Sequence, residues 1–339
     1  MLWIYVLNLV INHPPKKAFK TATLMKNDYS QVHPQLRTIS RMIPPLSFSK
    51  KNHGLVNFFM CLIPGIRPID GIDIENIFIP RMDGEGKLRL RIYRPETNNA
   101  SGSVLLWLHG GGYIIGKPEM DDWNCAEYTR VLGITVVSVD YRLAPQYPFP
   151  AALQDSQSAL KWVIANSEKY KVDPNRIAIG GKSAGAGLAA ALAQLTHDQQ
   201  DIKLACQLLV YPMLDDRTSL KTDLDDSNNL TWDLKSNRYG WESYLGKLHA
   251  AEDVPAYAVP ARRMDLSGLP AAWIGVGSLD IFHDEDVSYA RKLVEGGVKC
   301  KLEVVPGAFH GFDVINRKLP VVQDFRKSQM AALKKYLFS

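Results

Sequence analysis

The stretch Ile177–Ala191, Ile-Ala-Ile-Gly-Gly-Lys-Ser-Ala-Gly-Ala-Gly-Leu-Ala-Ala-Ala, narrows the choice of fold further than any other part of the chain. Its β-branched start reads as a short buried strand and its Ala-rich end as a helix. Between them Gly181-Lys182-Ser183-Ala184-Gly185 is a G-x-S-x-G turn with a strand before it and a helix after it. So sharp a reversal needs small residues two positions either side of the serine, because a Cβ there would strike the adjoining strand or helix. Gly181 and Gly185 meet that need, and they leave the Ser183 hydroxyl projecting. The helix that follows turns its first N–H groups toward any negative charge that develops there. An incidental serine in a Gly-rich turn would give the same five residues, so the rest of the chain has to decide.

The rest alternates. Val104–Leu108, Thr135–Val139, Leu204–Val210, Ala272–Val276 and Lys299–Val305 read as short buried strands. Lys117–Leu132, Ala151–Tyr170, Glu285–Glu295 and the segment from Val321 to Leu337 read as helices between and after them. Strands alternating with helices over 104–337 predict a doubly wound, mostly parallel α/β sheet with helices on both faces. Ile72–Ile79 and Leu88–Ile92 alternate apolar and polar residues around Asp83-Gly84-Glu85-Gly86, a β-hairpin ahead of that sheet. Val32–Arg67 reads as one or two amphipathic helices broken at Pro44-Pro45. From Met213 to about Pro260 the rhythm stops; the segment is first acidic, then helical and aromatic, and it reads as an inserted cap. The expected organisation is therefore an N-terminal extension with cap helices over 1–69, a core over 70–212, a cap insertion over 213–260, and core again over 261–339.

Functional residues in such a sheet sit just past the carboxyl ends of the strands. Ser183 is at one end, Gly277-Ser278-Leu279-Asp280 at another, Pro306-Gly307-Ala308-Phe309-His310 at a third, and His109-Gly110-Gly111-Gly112 at a fourth. A serine hydroxyl is a weak nucleophile that needs a base, and the base needs a carboxylate to orient it. His310 is the histidine of the eight that lies just beyond a late strand among small residues. Asp280 is the acid at a strand end; Asp284 is the better cap for the next helix and stays open as the alternative third member. Consecutive glycines after a strand are costly in backbone entropy and make sense where N–H groups must approach a ligand closely.

On these residues the chain resembles the hormone-sensitive-lipase-like (bacterial family IV) carboxylesterases of the α/β-hydrolase superfamily. The resemblance rests on His109-Gly110-Gly111-Gly112, Asp140-Tyr141-Arg142-Leu143-Ala144-Pro145, Gly181-x-Ser183-Ala184-Gly185, the Asp280 segment and His310-Gly311-Phe312, and spans roughly 70–337. It implies an α/β-hydrolase fold with a helical cap, and a serine carboxylesterase acting on short-to-medium-chain esters. Ser183 would be the nucleophile, His310 the general base and acid, and Asp280 the orienting carboxylate. The oxyanion hole would come from the N–H groups of Gly111, Gly112 and Ala184. His109 and Arg142 would be scaffold, and a homodimer would form through the edge strand near Lys299–Val305. Two positions depart from the family: Lys182 stands where Asp usually precedes the nucleophile, and Gln146 where Glu is common. Trp232 and Tyr239 are the cap aromatics expected to narrow the substrate pocket. The rival readings are a non-catalytic small-molecule receptor on the same scaffold, and amide or long-chain lipid hydrolysis by the same triad.

Composition narrows the partners. The chain of 339 residues has a net charge of +5, but residues 1–60 carry eight Lys/Arg against one acid, so the remainder is slightly acidic and offers no nucleic-acid face. Cys61, Cys125, Cys206 and Cys300 are far apart with no C-x-x-C, which points to a reducing, cytoplasmic compartment without a disulfide framework. No H-E-x-x-H, no Cys/His cluster and no phosphate-binding Gly loop is present, so neither metal nor cofactor is expected. Met1–Ile11 is nearly continuous apolar sequence, too short for an ordinary span of about 20 residues. It reads as an upstream extension of a start at Met25, making residues 1–24 non-native, with a membrane anchor or an extra apolar helix as alternatives.

Overall fold

A computed structural model describes residues 29–338 except 45, 46, 63, 67, 68, 97–99 and 225–228. The Met1–Ile11 stretch and the expected start at Met25 lie outside the described residues. Eight strands form one sheet in the order β1-β2-β4-β3-β5-β6-β7-β8. β1 (Ile72–Pro80) and β2 (Lys87–Pro95) make the hairpin at one edge, and β2 joins β4 (Thr135–Val139) antiparallel. From β4 onward, β3 (Val104–Leu108), β5 (Ile177–Lys182), β6 (Cys206–Val210), β7 (Ala271–Gly277) and β8 (Cys300–Val305) all pair parallel.

The parallel strands carry apolar residues without alternation because both faces are covered. Along β3, Val104, Leu106 and Leu108 enter one hydrophobic cluster, while Leu105 and Trp107 enter the other. The first cluster is roofed by α4 (Ala151–Ala165), α6 (Ala184–Gln199) and α8 (His283–Glu295). The second is roofed by α3 (Asp122–Leu132) and α10 (Pro320–Leu337). Two short helices at the N-terminal side, α1 (Arg37–Ser40) and α2 (His53–Cys61), replace the longer helices expected over 32–67. The helix expected over 151–170 is interrupted at Asn166 and resumes as α5 (Ser167–Tyr170). The one expected from Lys117 opens as a single 3-10 turn, Pro118–Asp121, before α3.

Register decides where the chemistry can be. Leu108 lies beside Gly181, Lys182 beside Val210, Val210 beside Gly275, and Gly277 beside Val305. The carboxyl ends of β3, β5, β6, β7 and β8 therefore share one rim. Beside it, the segment around α7 (Leu234–Leu245) meets the N-terminal segment: Phe48 packs on Trp232 at 5.4 Å, and Phe48 N donates to Ser236 Oγ at 2.8 Å. Among the described residues no helix is long and apolar enough to cross a membrane. Cys206 and Cys300 are free thiols in strands, each pushed by burial to a pKa of about 12.

Candidate active site

Ser183 joins β5 to α6 with φ 54° and ψ −122°, a backbone conformation few non-glycine residues adopt. Hydrogen bonds on both sides hold it there: Ser183 N donates to Val210 O at 2.9 Å, and Ser183 O accepts from Met213 N at 3.1 Å and Gly187 N at 3.0 Å. The steric reading of the pentapeptide is met in detail. A Cβ on Gly185 would fall 2.1 Å from Leu108 O, and one on Gly181 would fall 2.5 Å from the same oxygen.

His310 reaches Ser183 from the loop after β8. Its Nε2 is 3.0 Å from Ser183 Oγ, and its Nδ1 is 2.8 Å from Asp280 Oδ2. The other oxygen, Asp280 Oδ1, accepts from Phe282 N at 3.0 Å. Asp280 thus both closes the turn before α8 and faces the imidazole, whereas Asp284 is exposed and pairs with His283 at 2.9 Å. Backbone bonds lash the two loops together: Leu279 N donates to Ala308 O at 2.9 Å, and Gly307 N to Ser278 Oγ at 2.8 Å. The imidazole is wedged edge-on between Tyr211 (4.7 Å between ring centres) and Phe282 (5.1 Å), and Thr231 Oγ1 donates to the His310 carbonyl.

The glycine loop after β3 passes beside the serine; a Cβ on Gly110 would lie 3.6 Å from Ser183 Cβ. Gly111 and Gly112 have φ of +126° and +59°. A side chain at Gly112 would strike the Trp232 indole, 2.0 Å from its nearest carbon. Among the described residues, no acceptor is paired with the N–H groups of Gly111, Gly112 or Ala184. The loop is braced from below. The His109 ring stacks on Tyr141 at 4.2 Å, its Nδ1–H donates to Gly110 O at 2.8 Å, and Tyr141 OH donates to His109 O at 2.6 Å. Burial pulls the His109 pKa below its ordinary value, which keeps it neutral. Arg142 clamps the adjoining turn through Asp155, at 3.0 Å from Nε, and Asp83, at 2.7 Å.

The alpha/beta hydrolase fold model matches residues 105–314, which is more than half of the chain. The chain belongs to the alpha/beta hydrolase fold family. Within that family its likenesses are to carboxylesterases of the hormone-sensitive-lipase type. The hydrolase is 32% identical to Esterase LipI of Mycobacterium tuberculosis, over 74% of this chain and 78% of that one. It is 31% identical to an ethyl acetate hydrolase of Pseudomonas putida, over 70% and 75%. Among solved structures it resembles a bacterial heroin esterase, with a TM-score of 0.85 and 32% identity over 92% of this chain and 99% of the other. The hydrolase is a carboxylic ester hydrolase.

The structure brings Ser183, Asp280 and His310 into one hydrogen-bonded line; Ala184 follows the serine, and the loop that carries Gly111 and Gly112 passes beside it at Gly110. Trp232 lies on the glycine loop, while the Tyr239 hydroxyl is taken up by His53 Nδ1 at 2.8 Å, joining α7 to α2. Sequence reasoning did not single out Tyr211, Thr231 or Asp313. Tyr211 is the first residue beyond β6 and could have been found by the same strand-end rule that found the others. Among the described residues no group of three or more His, Cys, Asp or Glu could hold a metal ion.

Proposed function

We propose that the hydrolase cleaves short-to-medium-chain carboxylic esters through an acyl-enzyme on Ser183. The observation that carries this reading is the pair of contacts made by His310, 3.0 Å to Ser183 Oγ and 2.8 Å to Asp280 Oδ2. With Nδ1–H donated to Asp280, Nε2 is left to accept the serine proton. Ser183 Oγ attacks the ester carbonyl carbon while Nε2 takes its proton, and the carbonyl π electrons become an oxyanion. The N–H groups of Gly111, Gly112 and Ala184 receive that oxyanion; losing one such donor typically lowers kcat about 10²–10³-fold. The carbon–oxygen bond then breaks, and the alcohol departs with the proton from His310. Water repeats the attack on the acyl-enzyme, its proton passing to His310 and on to Ser183 Oγ as the acid leaves.

Trp232 lies against Gly112, and a bulky indole there supports a preference for acetate and butyrate esters over long acyl chains. The test is hydrolysis of p-nitrophenyl esters from acetate to palmitate by the wild type and by Ser183→Ala. Wild-type cleavage of the short esters, reduced at least ~10⁴-fold in the variant, supports the reading. A folded wild type that cleaves none of them would hand the site to the receptor or amidase alternatives.

A further inference from the structure

Beneath the nucleophile, on the face of the sheet away from α6, lies a cluster of charge that the reaction sequence does not use. Lys182 shares its side of β5 with Ala178, which packs in the cluster under α3 and α10. Its side chain is buried, with Nζ 2.7 Å from Asp313 Oδ2 and 3.8 Å from Asp121 Oδ1. Tyr211 OH donates to the other oxygen of Asp313 at 2.7 Å. Asp121 accepts from Trp107 Nε1 at 2.9 Å and from Asn124 Nδ2 at 3.3 Å. Beyond it Arg326 binds Asn124 and reaches Glu127 at 2.6 Å. Burial alone would push the Asp313 carboxyl up, but Lys182, Arg326 and the Tyr211 hydroxyl outweigh it and hold it below the usual carboxylate range.

The places of these residues in the chain give the cluster its meaning. Lys182 immediately precedes Ser183, and Asp313, three residues after His310, lies in the four-residue helix α9 (Phe312–Ile315). Tyr211 binds Asp313 with its hydroxyl and meets the His310 ring with its ring. Two connections therefore run from nucleophile to base without passing through the reacting atoms. One is Ser183–Lys182–Asp313–His310; the other leaves Asp313 through Tyr211 and returns to the imidazole. A buried ion pair is weak evidence for stability, because an apolar pair of similar volume often serves as well. Its value here is geometric.

We propose that Lys182 and Asp313 are positioning residues for ester hydrolysis: their ion pair fixes the His310 loop against the nucleophile turn and balances charge beneath the imidazole. The proposal rests on the esterase reading above. It accounts for a lysine at this position, since Asp313 and Asp121 converge on it and an aspartate there would add a third negative charge.

The charged and titratable groups around His310 are Asp280, Ser183 and Tyr211, with Asp286 buried one helical turn beyond Phe282. Against that background the two halves of the pair act on the imidazole with opposite sign. Lys182→Met removes the nearest cation from Asp313 and leaves it with Arg326 and the Tyr211 hydroxyl, so its less compensated charge favours imidazolium and moves the acid limb of kcat/KM upward. Asp313→Asn leaves the lysine with only the more distant Asp121, 3.8 Å away, and moves the limb downward. Each shift is expected to be roughly half a pH unit, and the double variant returns toward the wild type. For a p-nitrophenyl butyrate substrate, kcat falls on the order of 10–100-fold in each single variant while KM stays within about threefold, because acyl binding is untouched.

Opposed limb shifts with a loss confined to kcat support the proposal. Limbs that stay put, or move the same way in both variants, overturn it, as does kcat within twofold of wild type in folded protein. Where the single variants fail to fold, Tyr211→Phe decides: it keeps the ring on His310 and removes only the hydroxyl from Asp313. A severalfold fall in kcat at constant KM supports the connection, and unchanged kcat overturns it. Ser183→Ala, measured alongside, separates the failures, since activity surviving in that variant defeats the esterase reading itself.

Discussion

Asp286 on α8 is fully buried, and among the described residues neither of its carboxylate oxygens has a hydrogen-bond partner. Burial, then the charges of Glu285 and Asp280, push its pKa well above the ordinary carboxylate value. The consequence for stability has a definite sign. As pH rises past about 4, the unfolded chain gives up this proton while the folded one keeps it. Stability is therefore lost progressively from there up to the raised folded value. Asp286→Asn removes the penalty. Its melting temperature should exceed the wild type by a few degrees at pH 7.5, with the gap closing toward pH 4, which corresponds to roughly 1–3 kcal/mol at the upper end. Glu285 next to it is also raised by burial, but Leu214 N, Asp215 N and Thr218 Oγ1 all donate to it, so Glu285→Gln forfeits bonds that Asp286→Asn does not. An identical melting curve for Asp286→Asn at both pH values would show that the carboxyl is not held protonated. On the proposed mechanism His310 must be neutral to take the serine proton. kcat/KM for a short ester should therefore fall on the acid side, and a profile flat down to about pH 4 would remove His310 from the role of base.

At the scale of elements, the turn between β5 and α6 is closely constrained by the backbone packed against it. Gly185→Ala would place a methyl 2.1 Å from Leu108 O and 2.3 Å from His109 O, both backbone atoms of β3 and the glycine loop. Relief requires the Ser183 turn to retreat from the glycine loop, and a displacement near 1 Å can cost about 10²-fold in rate. Steady-state kinetics on p-nitrophenyl acetate should show that loss in kcat, and activity within threefold of wild type would contradict the packing. This element was legible in the sequence because its constraint is local: two glycines, a serine, and apolar runs on either side. β3 and β4 were legible to the residue for a related reason, since every position of both is buried. Elements with weaker local signals were misjudged. Asn166 ends α4 although the residues beyond it suit a helix, and α9 is too short to leave a periodic trace. The partner of Lys182 was not legible at all. Asp313 is 131 residues away, and only the sheet register together with the path of the His310 loop brings the two within 2.7 Å. Asp280 and Asp284 are likewise told apart only by the loop, which turns the first toward His310 and leaves the second in solvent.

The sheet ends on β8, whose outer side has no neighbouring strand among the described residues, and such an edge is a template for pairing with another chain. The homodimer expected from the sequence can be weighed against the residues of that edge. Lys301 and Glu303 flank Leu302 and already pair with each other at 3.0 Å. If two copies meet antiparallel about an axis at Leu302, Lys301 of each lies opposite Glu303 of the other, so the charges that keep one edge soluble become complementary across two. A twofold axis there would extend both sheets into one and cover the half-buried side chains of Cys300 and Leu302. The expected assembly is a dimer of twice the 37.9 kDa chain mass by light scattering. Glu303→Lys sets like charges against each other at both pairs and should return the protein to monomer. Lys301→Glu should do the same, while the double exchange restores complementarity and the dimer. The active-site rim lies at the carboxyl ends of the strands rather than along the β8 edge, so all three variants should keep wild-type kcat on a short ester. A wild type that runs as a monomer at all concentrations, or a dimer indifferent to both single charge reversals, would place the interface elsewhere or remove it.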